Sequence, residues 1–448
     1  MLFSTETLQT PLDMDRIYTT SLGILNAIRA NGFTAYFAGG AVRDKLLGRT
    51  PKDYDIATNA LPEQIEALFP KTVAVGKAFG VIMVVQDGLE VEVATFREDA
   101  GYQDGRRPDS VHFCGAEEDA KRRDFTINGM FYDPVADEVI DTVGGKADLE
   151  KRVIRAIGDP DRRFAEDHLR MLRAVRFAHT LGFSIDPATR DAIKKHAADL
   201  AKISMERIEN EFSRTLVESI RPGDALSELV ELGLIEHIMP EILPMIGQEQ
   251  PPEFHPEGDV FEHTVLMLNL MKNPDRPLAY TVLLHDVGKP DTAFMGEDRI
   301  RFHGHETLSA KMAEDILRRL RLPTKEIRQI VTAIAGHMRF KDVQKMNRST
   351  LRKLMGAETF DLEMELHRID CSGSHGLLEN YEFLLKKAEE MENEPVLPER
   401  WISGKDLCEL GVEPSPRIGE LLKKAYDAQL EGRFSDRAAL LDWLKESL

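Results

Sequence analysis

Cysteine is scarce in this chain: Cys114, Cys371 and Cys408 are the only three in 448 residues. They lie far apart, which argues against a disulfide framework and against a cysteine-based zinc site, and makes a reducing cytoplasm the expected setting. Long apolar runs are also missing. None approaches the ~20 residues needed to cross a bilayer, so no membrane partner is expected. The opening residues MLFSTETLQTPLDMDR combine no basic start with an apolar core, so no secretory signal is expected. Low-complexity tracts and internal repeats are absent. A surplus of positive charge is lacking too, with 58 Lys and Arg against 77 Asp and Glu, a net charge of −19. That excludes an evenly basic coat for nucleic acid, but phosphate binding needs only a local positive field. Such a concentration runs from Arg97 to Arg176, through Arg106, Arg107, Lys121 to Arg123, Lys151, Arg152, Arg155, Arg162, Arg163, Arg170 and Arg173.

The length exceeds one ordinary domain of roughly 100–200 residues. FTAYFA at 33–38 reads as an apolar strand broken by Gly39-Gly40, with helical spacing in AVRDKLLG; Val81 to Val85 and Val91 to Phe96 read as further strands. From Lys151 onward long amphipathic segments dominate, such as His168 to Leu181 and Met205 to Ile220. The expected class is α+β, a mixed head followed by nearly continuous helix. Arg221-Pro222-Gly223, the Pro/Glu-rich Gln248 to Glu257, and residues 392–398 read as joints.

Gly39-Gly40-Ala-Val-Arg43-Asp44 is followed nine residues later by Asp53-Tyr54-Asp55. Two glycines between strand and helix let backbone N–H groups approach a phosphate, and Arg43 adds a charged fork. On a strand, Asp53 and Asp55 share a face while Tyr54 points to the core. Such a pair suits two Mg²⁺ ions, one lowering the pKa of an attacking 3′-hydroxyl and the other stabilising a departing pyrophosphate. Glu92 is the candidate third carboxylate and Glu90, on the same strand face, its rival.

The motifs GGAVRD (39–44), DYD (53–55), VEVATFR (91–97), DGRRPD (104–109), RRDFTIN (122–128) and EDHLR (166–170), in this order, resemble the class II tRNA nucleotidyltransferases. That family comprises CCA-adding enzymes and bacterial poly(A) polymerases within the polymerase-beta-like superfamily. The resemblance implies that Asp53 and Asp55 are metal ligands. It places Gly39, Gly40, Arg43, Arg122, Arg123, Asp124 and Asn128 around the nucleotide, whose partners are CTP, ATP and the tRNA 3′ end. It implies a nucleotidyltransferase head over 1–145, a nucleotide-selecting neck over 146–220, a helical body over 221–390 and a tRNA-binding tail over 391–448.

Asp167 and Arg170 at i, i+3 are expected on one helix face. Cytosine and adenine both present an amino donor beside a ring-nitrogen acceptor; guanine and uracil present the reverse. A carboxylate accepting beside a guanidinium donating therefore selects C and A, and by resemblance these positions of EDxxR replace a template. Arg173 and Arg176, further along, join the expected nucleotide-binding cations. The polar stretch Glu98 to Ala120 is expected as a mobile loop. Poly(A) polymerases of the family carry an arginine-rich segment where this chain has VGKAFG (75–80), which sits better with CCA addition. Arg207 and Glu211 resemble the family's ERxxxE element, expected as a helix-bracing ion pair.

His263, His285-Asp286, His305, His337 and Asp370 combine ligand types that suit a divalent metal of unspecified identity. Their order resembles the HD phosphohydrolase domain, the added histidines matching two-metal members. The alternatives are an A-adding enzyme or poly(A) polymerase with the same chemistry, and an HD phosphohydrolase with a non-catalytic RNA-binding head.

Overall fold

The computed structural model describes residues 11–101, 110–391 and 395–446. It divides into two compact units, Met1–Leu243 and Pro244–Leu448. In the first, α1 (Pro11–Ala30) buries Ile24, Leu25 and Ile28, one helical turn apart, beside a seven-stranded sheet. Its first strand β1 (Ala35–Ala38) passes through the glycine pair into α2 (Gly40–Leu46). Then come β2 (Asp55–Thr58), α3 (Pro62–Leu68), β3 (Thr72–Gly76), β4 (Val81–Gln86) and β5 (Leu89–Thr95).

The stretch expected as a loop from Glu98 is largely ordered among the described residues. β6 (Arg97–Ala100) and β7 (Ser110–Phe113) pair as an antiparallel hairpin, and α4 (Ala116–Arg122) follows. The DGRRPD motif, Arg106 and Arg107 included, lies outside the described residues. After α4, β8 (Phe131–Asp133) and β9 (Glu138–Ile140) complete the sheet in the order β3-β4-β5-β2-β1-β8-β9. Its pairings are antiparallel except β2 with β5, which run parallel with Ile56 opposite Val93. That register sets Asp55 beside Glu92, and Glu90 two residues further from it.

The remaining α-helices of this unit among the described residues are α5 (Gly145–Lys151), α6 (Pro160–Glu166), α7 (Arg170–Leu181), α8 (Pro187–His196), α9 (Met205–Glu218), α10 (Pro222–Glu231) and α11 (Ile235–Ile238), with a two-stranded parallel pair formed by Val153–Ile154 and Ser184–Ile185. Along α9, Ile208, Phe212 and Leu216 recur every four residues and are fully buried, which fixes the face turned to the core. Arg221-Pro222-Gly223 does not end the unit. Pro222 occupies the first turn of α10, where a missing N–H costs nothing.

The second unit is helical: α12 (Val260–Leu270), α13 (Arg276–Leu284), α14 (Lys289–Thr292), α15 (His305–Arg319), α16 (Thr324–Gly336), α17 (Arg348–Met355), α18 (Phe360–Gly373) and α19 (Glu379–Glu390). It closes with α20 (Gly404–Glu409), α21 (Pro416–Leu430) and α22 (Arg437–Lys445) around a small core of Ile402, Leu407, Leu421, Ala425, Leu440 and Leu444. No helix among the described residues is long and apolar enough to cross a membrane.

Candidate active site and metal centre

Asp53 precedes β2 and Asp55 is its first residue. Tyr54 turns the other way, its ring 5.2 Å from that of Tyr18 and 5.1 Å from that of Phe37. Packing of the tyrosine on one side thus presents the two carboxylates on the other. Burial, then the charges of Glu92 and Asp53, push the Asp55 carboxyl up to about 7 against the opposing pull of Arg123. Burial raises Glu92 as well, with Arg123 and Arg97 opposing and Asp53 reinforcing the shift. Three mutually repelling carboxylates therefore meet where β2 and β5 run parallel, and Asp55's electrostatic neighbours are Glu92 and Asp53.

Gly39 has φ 65° and ψ −127°, a conformation open essentially to glycine, and a Cβ there would stand 3.4 Å from Arg123 Nη1. The glycine is required there by its backbone conformation, and the guanidinium packs against that turn. Arg123 and Arg122 are held by one buried carboxylate, Asp119, at 3.0 and 2.7 Å. Burial raises Asp119, but the two arginines outweigh it and hold the group below the usual carboxylate range.

A chain of polar contacts continues into the helices. Arg43 donates to Asn128 Oδ1 at 2.9 Å, and Asn128 Nδ2 donates to Asp124 Oδ1 at 3.1 Å. Arg173 donates to Asp124 Oδ2 through Nε and Nη2, at 2.9 and 2.7 Å. Burial opposes ionisation of Asp124, yet Arg173 brings it down to about 2. Arg43, Arg173 and Arg176 all lie over the ring of Phe177, 4.3 to 5.2 Å from its centroid, so one aromatic ring gathers three cations.

Three expectations need correcting here. Asp167 and Arg170 do not share a helix: α6 ends at Glu166 and α7 starts at Arg170. Asp167 lies in the break between them, its Oδ1 accepting from Leu169 N at 3.1 Å in a local turn. Arg170 turns inward, donating to Arg163 O, Glu166 Oε2 and Arg122 O at 3.0–3.1 Å. Arg176, expected near the nucleotide, is buried and donates to Glu211 Oε2 at 2.6 Å, bracing α7 against α9. Arg207 does not pair with Glu211 within α9. It donates to both oxygens of Asp167, at 3.2 and 3.1 Å. Asp119, Glu166 and Glu211 were not foreseen as anchors of these arginines, although each lies at i+3 or i+4 spacing from an arginine.

In the second unit, His263 lies on α12, His285 and Asp286 just past α13, His305 at the start of α15, His337 just past α16 and Asp370 on α18. Side-chain atoms of His263, His285 and Asp370 come within 4.8 Å of one another, as do those of Asp286, His305 and His337. His285, His305 and His337 each donate Nδ1–H to a carbonyl oxygen, of Val282, Phe302 and Ile334, at 2.9, 2.8 and 2.7 Å. A carbonyl only accepts, so Nδ1 carries a hydrogen in each ring and Nε2 is the atom left to face a cation. His305 Nε2 and His337 Nε2 stand 3.2 Å apart. His285 Nε2, His263 Nε2 and Asp286 Oδ1 are buried without a well-aligned hydrogen bond, their polar neighbours being Asp286 Oδ2 at 3.0 Å, Asp370 Oδ1 at 3.2 Å and His305 Nε2 at 3.3 Å. Burial, and then His285, bring His337 down to about 4, which keeps it neutral. These donors fit divalent cations.

The stretch Gln248 to Glu257 is more than a joint. Gln250 accepts from the buried Lys289 at 2.6 Å, and Glu257 Oε1 accepts from His255 Nδ1 at 2.9 Å and His263 Nδ1 at 2.5 Å. His255 and Glu257, which escaped the sequence reading, form a third group with His263. The visible signal was HisProGluGlyAsp set a helix cap before a ligand histidine.

The parallel strand pair carrying three carboxylates, with arginines gathered at a glycine turn, defines a nucleotidyltransferase head. Residues 35–155 match the family described as poly A polymerase head domain, 182–246 the probable RNA and SrmB-binding site of polymerase A, and 260–370 the HD domain. The CCA-adding enzyme of Geobacillus thermodenitrificans is 48% identical over 222 residues, 49% of this chain and 54% of that protein. In that comparison the chain spans about half the length of its relative. The CCA-adding enzyme of Bacillus subtilis is 33% identical over 436 residues, 96% of this chain and 99% of its own length. The crystal structure of the Bacillus stearothermophilus CCA-adding enzyme in complex with CTP superposes with TM-score 0.76 at 30% identity, covering 96% of this chain and 97% of that one. The chain belongs to the CCA-adding enzyme family of tRNA nucleotidyltransferases.

Proposed function

We propose that this chain adds C, C and A to the 3′ end of tRNA without a template, using CTP and ATP and releasing pyrophosphate, in a reducing cytoplasm. The observation that carries the reading is the convergence of Asp53, Asp55 and Glu92 beside the Arg123 and Gly39 turn. Three carboxylates that repel one another and have only arginines to relieve them form a hard oxygen donor set for Mg²⁺. Bound there, two such ions supply activation of the 3′-hydroxyl and charge neutralisation on the leaving pyrophosphate. Arg43, Arg122 and Arg123 bind the triphosphate, and Asn128 and Asp124 hold Arg43 and Arg173 in place for it. Asp167 accepts from the amino group of C or A while keeping its contact with Arg207, because a carboxylate has about four lone-pair directions. Arg170 supplies the donor beside it from its remaining N–H groups. The tail, 391–448, holds the tRNA by shape and backbone. The HD pocket is a phosphohydrolase centre with divalent ions.

The test is extension of a tRNA lacking CCA, and of one ending in CC, with CTP, ATP or both, read at single-nucleotide resolution. Three nucleotides ending in A are expected. Addition confined to the CC-ending substrate, or a long A ladder, would overturn the assignment. Asp167→Ala is expected to raise UMP and GMP incorporation relative to CMP and AMP by roughly 10–100-fold, from the ~1–3 kcal/mol carried by a two-point base contact. The dissociation constant for tRNA should hold. Unchanged base choice with a lowered melting temperature would make Asp167 a clamp for Arg207 instead.

A further inference from the structure

The two ligand groups of the HD pocket are equal in number but not in electrostatic backing. His305 and His337 lean on neutral backbone carbonyls. His263 leans on a carboxylate, donating to Glu257 Oε1 at 2.5 Å, and the same oxygen takes His255 Nδ1 at 2.9 Å. The geometry is built into the chain. Asp259 caps α12 by accepting from Glu262 N at 2.7 Å, and Glu262 returns to Asp259 N at 3.3 Å. Gly258, at φ 139°, leaves no room for a Cβ against the Glu262 side chain, so the loop carrying Glu257 is pinned to the helix carrying His263. A carboxylate behind an imidazole raises its basicity as a ligand, and such partners are worth about 10–100-fold in metal affinity.

The other group has the opposite endowment. Asp286 gives Oδ2 to the buried ammonium of Lys289 at 2.7 Å, and Gln250 holds that ammonium in position at 2.6 Å. A fixed cation on the only carboxylate of the Asp286, His305 and His337 group both draws off its charge and repels an incoming ion. The first position thus has a buried anion behind it, while the second has a buried cation in contact with its carboxylate, a charge that also reaches His263 at longer range.

Resting on the two-metal reading of this pocket, we propose that the two positions load unequally. The His263, His285 and Asp370 position is tight and filled first, with Glu257 as its positioning residue and His255 as the clamp on Glu257; the Asp286, His305 and His337 position is weak and exchangeable.

The test is Mn²⁺ titration of the metal-free full chain, followed by the EPR signal of free Mn²⁺ and by metal analysis after dialysis. It is done in a D53A/D55A background so that ions counted belong to the second unit. Two ions per chain are expected, with dissociation constants at least ~10-fold apart. E257Q should weaken the first step by about 10–100-fold and leave the second in place, with partial recovery in E257D. H305Q should remove the second step only. K289Q should tighten the second step, a gain that a misfolded variant cannot produce. Two equal steps in the parent chain, or an E257Q effect confined to the second step, would overturn the proposal. Binding of one ion or none would overturn the two-metal reading and the proposal with it.

Discussion

Asp55→Ala is expected to reduce nucleotide addition by at least ~10³-fold while tRNA binding holds, because divalent ions contribute several kcal/mol of transition-state stabilisation and each 1.36 kcal/mol is tenfold in rate. Asp53→Ala should behave alike, since the two side chains meet at the same end of β2. The measurement is single-turnover extension of a tRNA ending in CC, beside filter binding of the same tRNA. An isosteric variant separates chemistry from folding. Asp55→Asn keeps the shape and removes one of three carboxylate charges that repel across the β2–β5 pair. With a chelator present it should therefore melt no lower than the parent protein, yet be as inactive as the alanine variant. On the proposed function, carboxylates that oppose the stability of the chain trade folding energy for ion binding. Normal turnover in Asp55→Asn would remove these residues from the mechanism.

The placement of the candidate residues in the fold was legible where they obey local rules. The glycine pair follows a strand and the DYD triplet alternates faces, both of which spacing alone can state. Glu92 was preferred to Glu90, and the strand register sets Glu92 beside Asp55. What escaped were partners fixed by tertiary packing. The break between Glu166 and Arg170 contains neither proline nor glycine, so no local punctuation announced it; the one signal was Asp167, whose side chain can bond the backbone two residues on and so compete with a continuous helix. The pairing of Arg207 with Asp167 joins residues 40 apart, and that of Arg176 with Glu211 residues 35 apart. In the sequence, each acid has nearer basic neighbours that would serve equally well. Glu257 was hidden differently. Proline and glycine around it made a loop the natural reading, which was right about the backbone and silent about the side chain.

Glu211→Ala should be the most destabilising single change in the first unit. Arg176 is 3% exposed and Glu211 5%. Arg176 Nε donates to Glu211 at 2.6 Å, and Arg173 lies 3.6 Å from the same carboxylate. Removing the acid leaves a buried guanidinium whose remaining acidic partner among the described residues is Glu218 at 3.6 Å. Breaking a buried pair in this way costs about 3–5 kcal/mol. In a unit of this size each kcal/mol lowers the melting temperature by roughly 2–4 °C, so a fall of about 10 °C is expected by calorimetry. Replacing both partners with apolar residues, Arg176→Met with Glu211→Leu, should recover most of that loss, because the desolvation cost of two charges disappears together. Activity should not recover with stability. Arg173 shares its charge between Glu211 and Asp124, and Asp124 holds Asn128 and through it Arg43. The double variant frees Arg173 from one of its two anchors. It should therefore fold nearly as well as the parent and bind CTP and ATP less tightly, whereas equal nucleotide affinity would show that the α7–α9 brace serves the fold alone.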